Sequence, residues 1–128
     1  MCKQLKVLLV EDNNLATIAA KMSLNQIGCL VHVVSTGKEA ITKAQAYAYD
    51  LIFMDIGLGD MDGFDVTKRI RKYSEKNLNT PIIALTAHED DGSQKRAIGV
   101  GMNDFMTKPL TIEAARGVVN KFCHTSYA

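Results

Sequence analysis

The chain has 128 residues, 15 Lys and Arg against 14 Asp and Glu, and a formal net charge of +1. That length suits one compact domain, residues 1–128, able to bury roughly two thirds of the surface its unfolded chain exposes. The near-neutral balance gives no sequence-wide attraction to nucleic acid or anionic lipid, and no apolar run approaches the roughly 20 residues of a membrane span. Cys2, Cys29 and Cys123 lie far apart without Cys-x-x-Cys spacing. They outline neither a disulfide framework nor a zinc site, so a reducing, cytoplasmic setting is expected. Met1-Cys2-Lys3-Gln4 leads into a strand rather than a secretion signal.

Short apolar runs alternate with stretches of helical spacing, the sequence form of βα units around a parallel sheet. Strands are expected at 5–10, 30–34, 51–54, 81–86 and 103–107. In the first helix Leu15, Ile18, Ala19 and Met22 share one face, and Gly28 suits the left-handed residue after its end. Thr36 and Glu39 have capping-box spacing for the second helix, and Gly63 to Tyr73 supplies a basic, amphipathic third. Pro81 opens the fourth strand after the polar loop Ser74 to Thr80. The fourth helix, near Asp91 to Ile98, is short of apolar residues and precedes Gly99 and Gly101, so it is expected to be the most mobile. Thr111 caps the fifth, whose Ile112, Ala115, Val118, Val119 and Phe122 form a stripe.

Chemistry collects where the apolar runs stop. Leu5 to Val10 ends in Glu11-Asp12, Leu51 to Met54 in Asp55, Pro81 to Leu85 in Thr86, and Phe105 to Thr107 in Lys108-Pro109. Parallel strands between helices bring their carboxyl ends to one edge, where open α/β sheets place ligands. Three carboxylates gathered there repel one another, and a bound divalent cation is a simple remedy; Mg2+ takes a few carboxylate oxygens and keeps several waters. The Gly57 carbonyl offers one more oxygen. Asp55 is the candidate nucleophile, since a carboxylate can attack phosphorus to give an aspartyl-phosphate. Lys108 would pair with Asp55 at rest and with phosphoryl oxygens afterwards, and Thr86 offers those oxygens a hydroxyl. A Lys-Pro step can take the cis form, which would aim Lys108 inward. Taken singly, Asp55 reads as a turn or cap residue, Glu11-Asp12 as an acidic pair at a helix start, and Lys108 as a solvated cation.

The motifs Val-Glu-Asp-Asn at 10–13, Met-Asp-Ile-Gly-Leu-Gly-Asp-Met-Asp-Gly at 54–63, Ala-Leu-Thr-Ala-His at 84–88 and Asp-Phe-Met-Thr-Lys-Pro-Leu at 104–110 together resemble the response-regulator receiver domains of two-component signalling. The wording is more similar to receivers of hybrid histidine kinases than to those fused to DNA-binding domains. The resemblance implies a doubly wound, flavodoxin-like five-stranded parallel sheet of order 2-1-3-4-5. It implies Mg2+ on Glu11, Asp12, Asp55 and the Gly57 carbonyl, and Asp55 as phosphoacceptor for a histidine kinase or histidine phosphotransfer domain docking beside the first helix and the Pro109-Leu110 loop. Thr86 and Lys108 would sense the phosphoryl group, Phe105 would be the aromatic switch, and Ala87, His88 and Pro109 would lie in the neighbouring loops. A homodimer on activation is compatible with the resemblance; direct contact with nucleic acid or membrane is not expected, nor is enzymatic turnover beyond self-phosphorylation and self-dephosphorylation. Gly57 and His88 occupy positions that tune phosphoryl hydrolysis in the family, and Gly59 stands where proline is frequent. The chain stops soon after the fifth helix, as expected of a single-domain regulator or of a receiver from a longer protein.

Other readings fit less well. An aspartyl-phosphate phosphatase of the haloacid-dehalogenase type needs a second Asp where Gly57 stands. Asp60-Met61-Asp62-Gly63 puts its glycine too early for a calcium loop, and no Gly-x-x-x-x-Gly-Lys occurs. His32, His88 and His124 show no ligand or triad spacing. The rival from another class is a receiver-like binding module that signals without phosphorylation; such modules generally lack an acid, the aspartate or the lysine, all of which this chain keeps.

Overall fold

Runs such as Val7-Leu8-Leu9-Val10 and Leu51-Ile52-Phe53-Met54 are apolar at every position, which requires a sheet covered on both faces. The computed structural model, which describes residues 4–87 and 92–123, has that architecture. Strands β1 (Lys6–Val10), β2 (Leu30–Val34), β3 (Leu51–Asp55), β4 (Ile82–Thr86) and β5 (Asp104–Thr107) pair in parallel in the order β2-β1-β3-β4-β5. Helices α1 (Asn14–Gln26), α2 (Gly37–Ala46), α3 (Gly63–Tyr73), α4 (Ser93–Gly99) and α5 (Ile112–Phe122) connect or follow them. No helix among the described residues is long and apolar enough to cross a membrane.

Strand alternation divides the core in two. Leu8, Val10, Ile52, Met54, Ile82 and Ala84 face α2 and α3, meeting Ala40, Ala44, Phe64, Val66 and Ile70. Val7, Leu9, Leu51, Phe53, Ile83 and Leu85 face α1 and α5, meeting Leu24, Ala115, Val118 and Val119. Phe53 is fully buried, and truncating such a side chain to alanine costs about 3–5 kcal/mol. From β1 the chain passes outward to β2 and then to β3 on the other side of β1. That reversal opens a crevice at the carboxyl ends of β1 and β3.

Local sequence sets the joints. Asn13 caps α1, its Oδ1 accepting the Ala16 N–H at 2.9 Å. At the other end Gly28 takes φ 90°, and the Gly28 and Cys29 N–H groups donate to the Asn25 and Leu24 carbonyls, a Schellman ending. Thr36 caps α2 by accepting the Glu39 N–H at 3.1 Å. The Glu39 carboxylate turns to the Ser35 and Thr36 hydroxyls, so only half of the expected box forms. Asp62 caps α3 and Thr111 caps α5.

Helix α1 turns the face of Leu15, Ile18 and Met22 outward. Leu15, Ile18 and Met22 are 79%, 57% and 60% exposed, while Ala20, Ser23 and Leu24 are buried. Two faces of α1 carry apolar residues at helical spacing. The inner one is the face on which the Ser23 hydroxyl finds carbonyl partners. The α5 stripe is turned inward as expected, with Ala115, Val118 and Val119 buried. The expected start of the fourth helix at Asp91 lies outside the described residues, as do His88 and His124; the helix itself runs over Ser93–Gly99.

Candidate functional site

Glu11 and Asp12 follow β1, Asp55 ends β3, Thr86 ends β4, and Lys108 follows β5. Because these strands are parallel, the four segments meet at one edge. Asp12, Asn13, Asp55, Ile56, Gly57, Thr86, Ala87 and Lys108 line a cavity of about 440 Å³ there. Other hollows among the described residues are larger, about 630 Å³ along the Asp65–Tyr73 face of α3, about 650 Å³ beside α4 and about 500 Å³ between the end of α1 and α5. None of these gathers carboxylates from separate strands.

Glu11 and Asp55 are only 2% and 4% exposed. The Lys108 ammonium bridges them, its Nζ 2.7 Å from Glu11 Oε1 and 3.2 Å from Asp55 Oδ2. The lysine expected to pair with Asp55 therefore also pairs with Glu11, and more closely. Asp55 Oδ1 accepts the Gly57 N–H at 2.9 Å, and Glu11 Oε2 accepts the Asp12 N–H at 3.1 Å. Main-chain bonds fix the frame: the Glu11 N–H donates to the Val34 carbonyl, and the Lys108 N–H to the Thr86 carbonyl at 2.7 Å. The Lys108-Pro109 peptide bond is cis.

Burial, together with a hydrogen bond to Asp55, pushes the Glu11 carboxyl up to about 7, against the pull of Lys108. Burial acts on Asp55 in the same direction, but the hydrogen bond from Glu11, the Gly57 N–H and the Lys108 charge outweigh it and hold Asp55 below the usual carboxylate range. Lys108 is pushed up although burial opposes its charge, because Glu11 and Asp55 face it. Burial and neighbouring charge thus shift the two carboxyls in opposite senses, Asp55 towards its ionised form and Glu11 towards its protonated one. Carboxylate oxygens of Glu11, Asp12 and Asp55 lie within 4.8 Å of one another. An all-oxygen set with one exposed member suits a hard divalent cation that retains waters.

Of the residues singled out in the sequence, Glu11, Asp12, Asp55, Gly57, Thr86, Ala87 and Lys108 come together here. Pro109 is exposed beside them. Phe105 stands apart, half-buried on β5 against the α2–α3 side of the core. Two contributors were not anticipated. Asn13 lines the cavity, and its signal was its place as an Asx residue directly before a helix. The exposed Asp60 accepts the Gly37 and Lys38 N–H groups at 2.8 and 3.1 Å, tying the loop after Asp55 to the start of α2. Those N–H bonds, that of Gly37 foremost, hold its carboxyl low.

The chain matches the family model for the response regulator receiver domain over residues 7–120. It is 39% identical over 123 residues to hybrid signal transduction histidine kinase G of Dictyostelium discoideum, covering 94% of this chain and 4% of that protein. It is 37% identical over 121 residues to aerobic respiration control sensor protein ArcB of Escherichia coli, covering 94% of this chain and 15% of that protein. The chain therefore spans a small fraction of these relatives. Among solved structures it is similar to the receiver domain of sensor histidine kinase PA1611 from Pseudomonas aeruginosa, with a magnesium ion coordinated in its active-site cleft. The TM-score is 0.87 at 32% identity, over 95% of this chain and 99% of that one. It is also similar to chemotaxis response regulator CheY4 of Vibrio cholerae, with TM-score 0.85 at 28% identity over 94% and 99%. The strand order, the acidic crevice and the match over residues 7–120 agree, and the chain belongs to the response regulator receiver domain family.

Proposed function

We propose that Asp55 accepts a phosphoryl group from a phosphohistidine donor, a histidine kinase or histidine phosphotransfer domain, in a Mg2+-dependent reaction. The observation that carries this reading is the buried Asp55 carboxylate kept ionised at an open strand edge beside Lys108, Glu11 and Asp12. An Asp55 oxygen attacks phosphorus, an O–P bond forms, the N–P bond of the donor breaks, and the imidazole leaves with the bonding pair and takes up a proton. Asp55 is oriented for this by the Gly57 N–H. Lys108, already between two carboxylates, follows the new negative charge on the phosphoryl oxygens. Mg2+ would be held by Glu11, Asp12, Asp55 and the Gly57 carbonyl, and when bound it supplies neutralisation of the crowded negative charge.

Phosphorylation adds charge beside Thr86 and Lys108 and biases a pre-existing equilibrium in the neighbouring loop, in α4 and at Phe105. The donor docks on the exposed Leu15, Ile18 and Met22 of α1, beside the Pro109-Leu110 loop, in a cytoplasmic setting; activation permits a homodimer. The test is intact mass after incubation with acetyl phosphate, with and without Mg2+, alongside Asp55→Asn. A metal-dependent gain of one phosphoryl group, absent from the variant, is expected. A folded protein that gains none from acetyl phosphate or from a phosphotransfer domain would instead be a phosphorylation-independent binding module.

A further inference from the structure

Ser23 lies in the last turn of α1 on its buried face, 8% exposed. A hydroxyl inside a helix ordinarily bonds back to the carbonyl one turn earlier, and Ala19 O is 3.1 Å away. Nearer still, at 2.9 Å, is the carbonyl of Leu110, 87 positions further along the chain. The hydroxyl has one proton to give. The Ala19 carbonyl keeps its helical partner in the Ser23 backbone N–H, whereas no other donor bonds the Leu110 carbonyl among the described residues. The Leu110 bond is therefore the one the hydroxyl serves.

Leu110 ends the turn that carries Lys108. The start of this turn is fixed to β4 by the Lys108 N–H donating to the Thr86 carbonyl at 2.7 Å. Its end is fixed to α1 by Ser23. From between these two anchors the Lys108 ammonium reaches Glu11 and Asp55. Helix α1 itself begins after Glu11-Asp12 and the cap residue Asn13, so one rigid element follows the acidic pair at its start and holds the lysine turn in its last turn.

We propose that Ser23 is a positioning residue for phosphoryl acceptance: through the Leu110 carbonyl it fixes the turn from which Lys108 addresses the two buried carboxylates. The inference rests on the reading of Asp55 as acceptor and Lys108 as its partner. It extends that reading to a side chain which touches neither substrate nor metal.

The test compares the whole chain with Ser23→Ala, Ser23→Thr and Ser23→Val, each also combined with Lys108→Ala. Threonine keeps the hydroxyl, and valine has nearly its shape without it. Two readouts are taken: the NMR signal of the Lys108 side-chain Cε–Hε groups, and the rate of phosphoryl incorporation from acetyl phosphate with Mg2+, followed by intact mass. Ser23→Ala and Ser23→Val are expected to move the Lys108 signal and slow incorporation by roughly threefold to tenfold, as a small misplacement of a reacting group does. Ser23→Thr is expected to restore both. In the Lys108→Ala background the serine substitutions are expected to add little, because the two residues act as one unit. An unmoved Lys108 signal with an unchanged rate, or the same loss whether or not Lys108 is present, would make Ser23 a packing residue and overturn the inference. If the unaltered chain takes up no phosphoryl group, the reading of Asp55 fails and the Lys108 signal alone decides the role of Ser23. Should Ser23→Ala not fold, as judged by urea unfolding, the threonine and valine pair carries the comparison.

Discussion

The Lys108 ammonium stands 2.7 Å from Glu11 Oε1, nearer than its 3.2 Å to Asp55 Oδ2. Glu11 is thus part of the electrostatic unit around Asp55, and its proton is the variable in that unit. Three carboxylates gather here around one ammonium that pairs with two of them, an excess of negative charge that either a proton or a cation relieves.

Stability in metal-free buffer is expected to fall as pH rises from about 4.5 to about 7. Glu11 moves from an ordinary 4.5 up to about 7 in the folded chain, so between those values the folded state binds a proton the unfolded state has released. The free energy of unfolding then decreases with pH, by up to about 3 kcal/mol if Glu11 acts alone. Asp55 works in the opposite sense. Its folded value is depressed below 3.8, so its contribution is present above 3.8 and is lost as pH falls through the depressed value. Mg2+ should remove the loss on the alkaline side, because it takes the place of the proton and binds the folded state. Urea midpoints across this range, in EDTA and in Mg2+, check it; a profile in EDTA that stays flat from about pH 5 to about pH 8 would count against the assignment of the proton to Glu11.

Lys108→Ala is expected to tighten Mg2+ binding, although it should impair phosphoryl sensing. The ammonium occupies the same Glu11 and Asp55 oxygens that a cation would use, and its removal leaves them unneutralised. An affinity gain of about tenfold corresponds to only about 1.4 kcal/mol, well within the energy of one charge at this range. Asp55→Asn should weaken Mg2+ binding. Calorimetric titration at a pH above the Glu11 range separates the two; equal affinity in the lysine variant would show that Lys108 and the ion do not compete.

Four strand ends were legible because the apolar run stops at a charged or hydroxyl residue: Glu11, Asp55, Thr86 or Lys108. The order of strands came from the resemblance of those motifs, and the sheet has that order. The facing of α1 was not legible. Leu15, Ile18 and Met22 satisfy helical spacing as well as Ala20 and Leu24 do, and only packing against the sheet and α5 decides between them. Ser23 and Asp60 were equally silent. A serine in the last turn of a helix and a turn aspartate are unremarkable until the Leu110 carbonyl and the start of α2 are brought beside them.

Gly63→Ala is expected to destabilise the chain by about 1–3 kcal/mol and to slow phosphorylation of Asp55. A Cβ there would lie 2.5 Å from the Asp55 carbonyl oxygen and 2.8 Å from Ile56 Cα, both main-chain atoms that cannot swing aside. Gly117→Ala is the matched control. It lies within α5 with nothing near the added carbon, so a gain of about 0.5–1 kcal/mol is expected from helix propensity. Chemical denaturation of both variants, with phosphoryl incorporation from acetyl phosphate, reads the contrast. A Gly63→Ala chain as stable and as reactive as the parent would show that the loop after Asp55 can yield.

Substituting the exposed face of α1 should separate the small donor from the protein donor. Leu15, Ile18 and Met22 are solvent-exposed in the isolated chain, and exposed positions with no buried partners change stability by only about 0.5 kcal/mol. The acidic crevice does not include them, so Ile18→Glu should take a phosphoryl group from acetyl phosphate at the parental rate. A partner that covers the face must instead desolvate the new charge, and loss of one central apolar contact typically costs an interface about 2 kcal/mol or more. Transfer from a phosphohistidine domain should then slow by roughly thirtyfold, chiefly through weaker docking. Rates measured against the concentration of the phosphotransfer domain tell docking from chemistry. If Ile18→Glu keeps the parental rate with both donors, the donor approaches Asp55 from another side, and the apolar face of α1 has a different occupant.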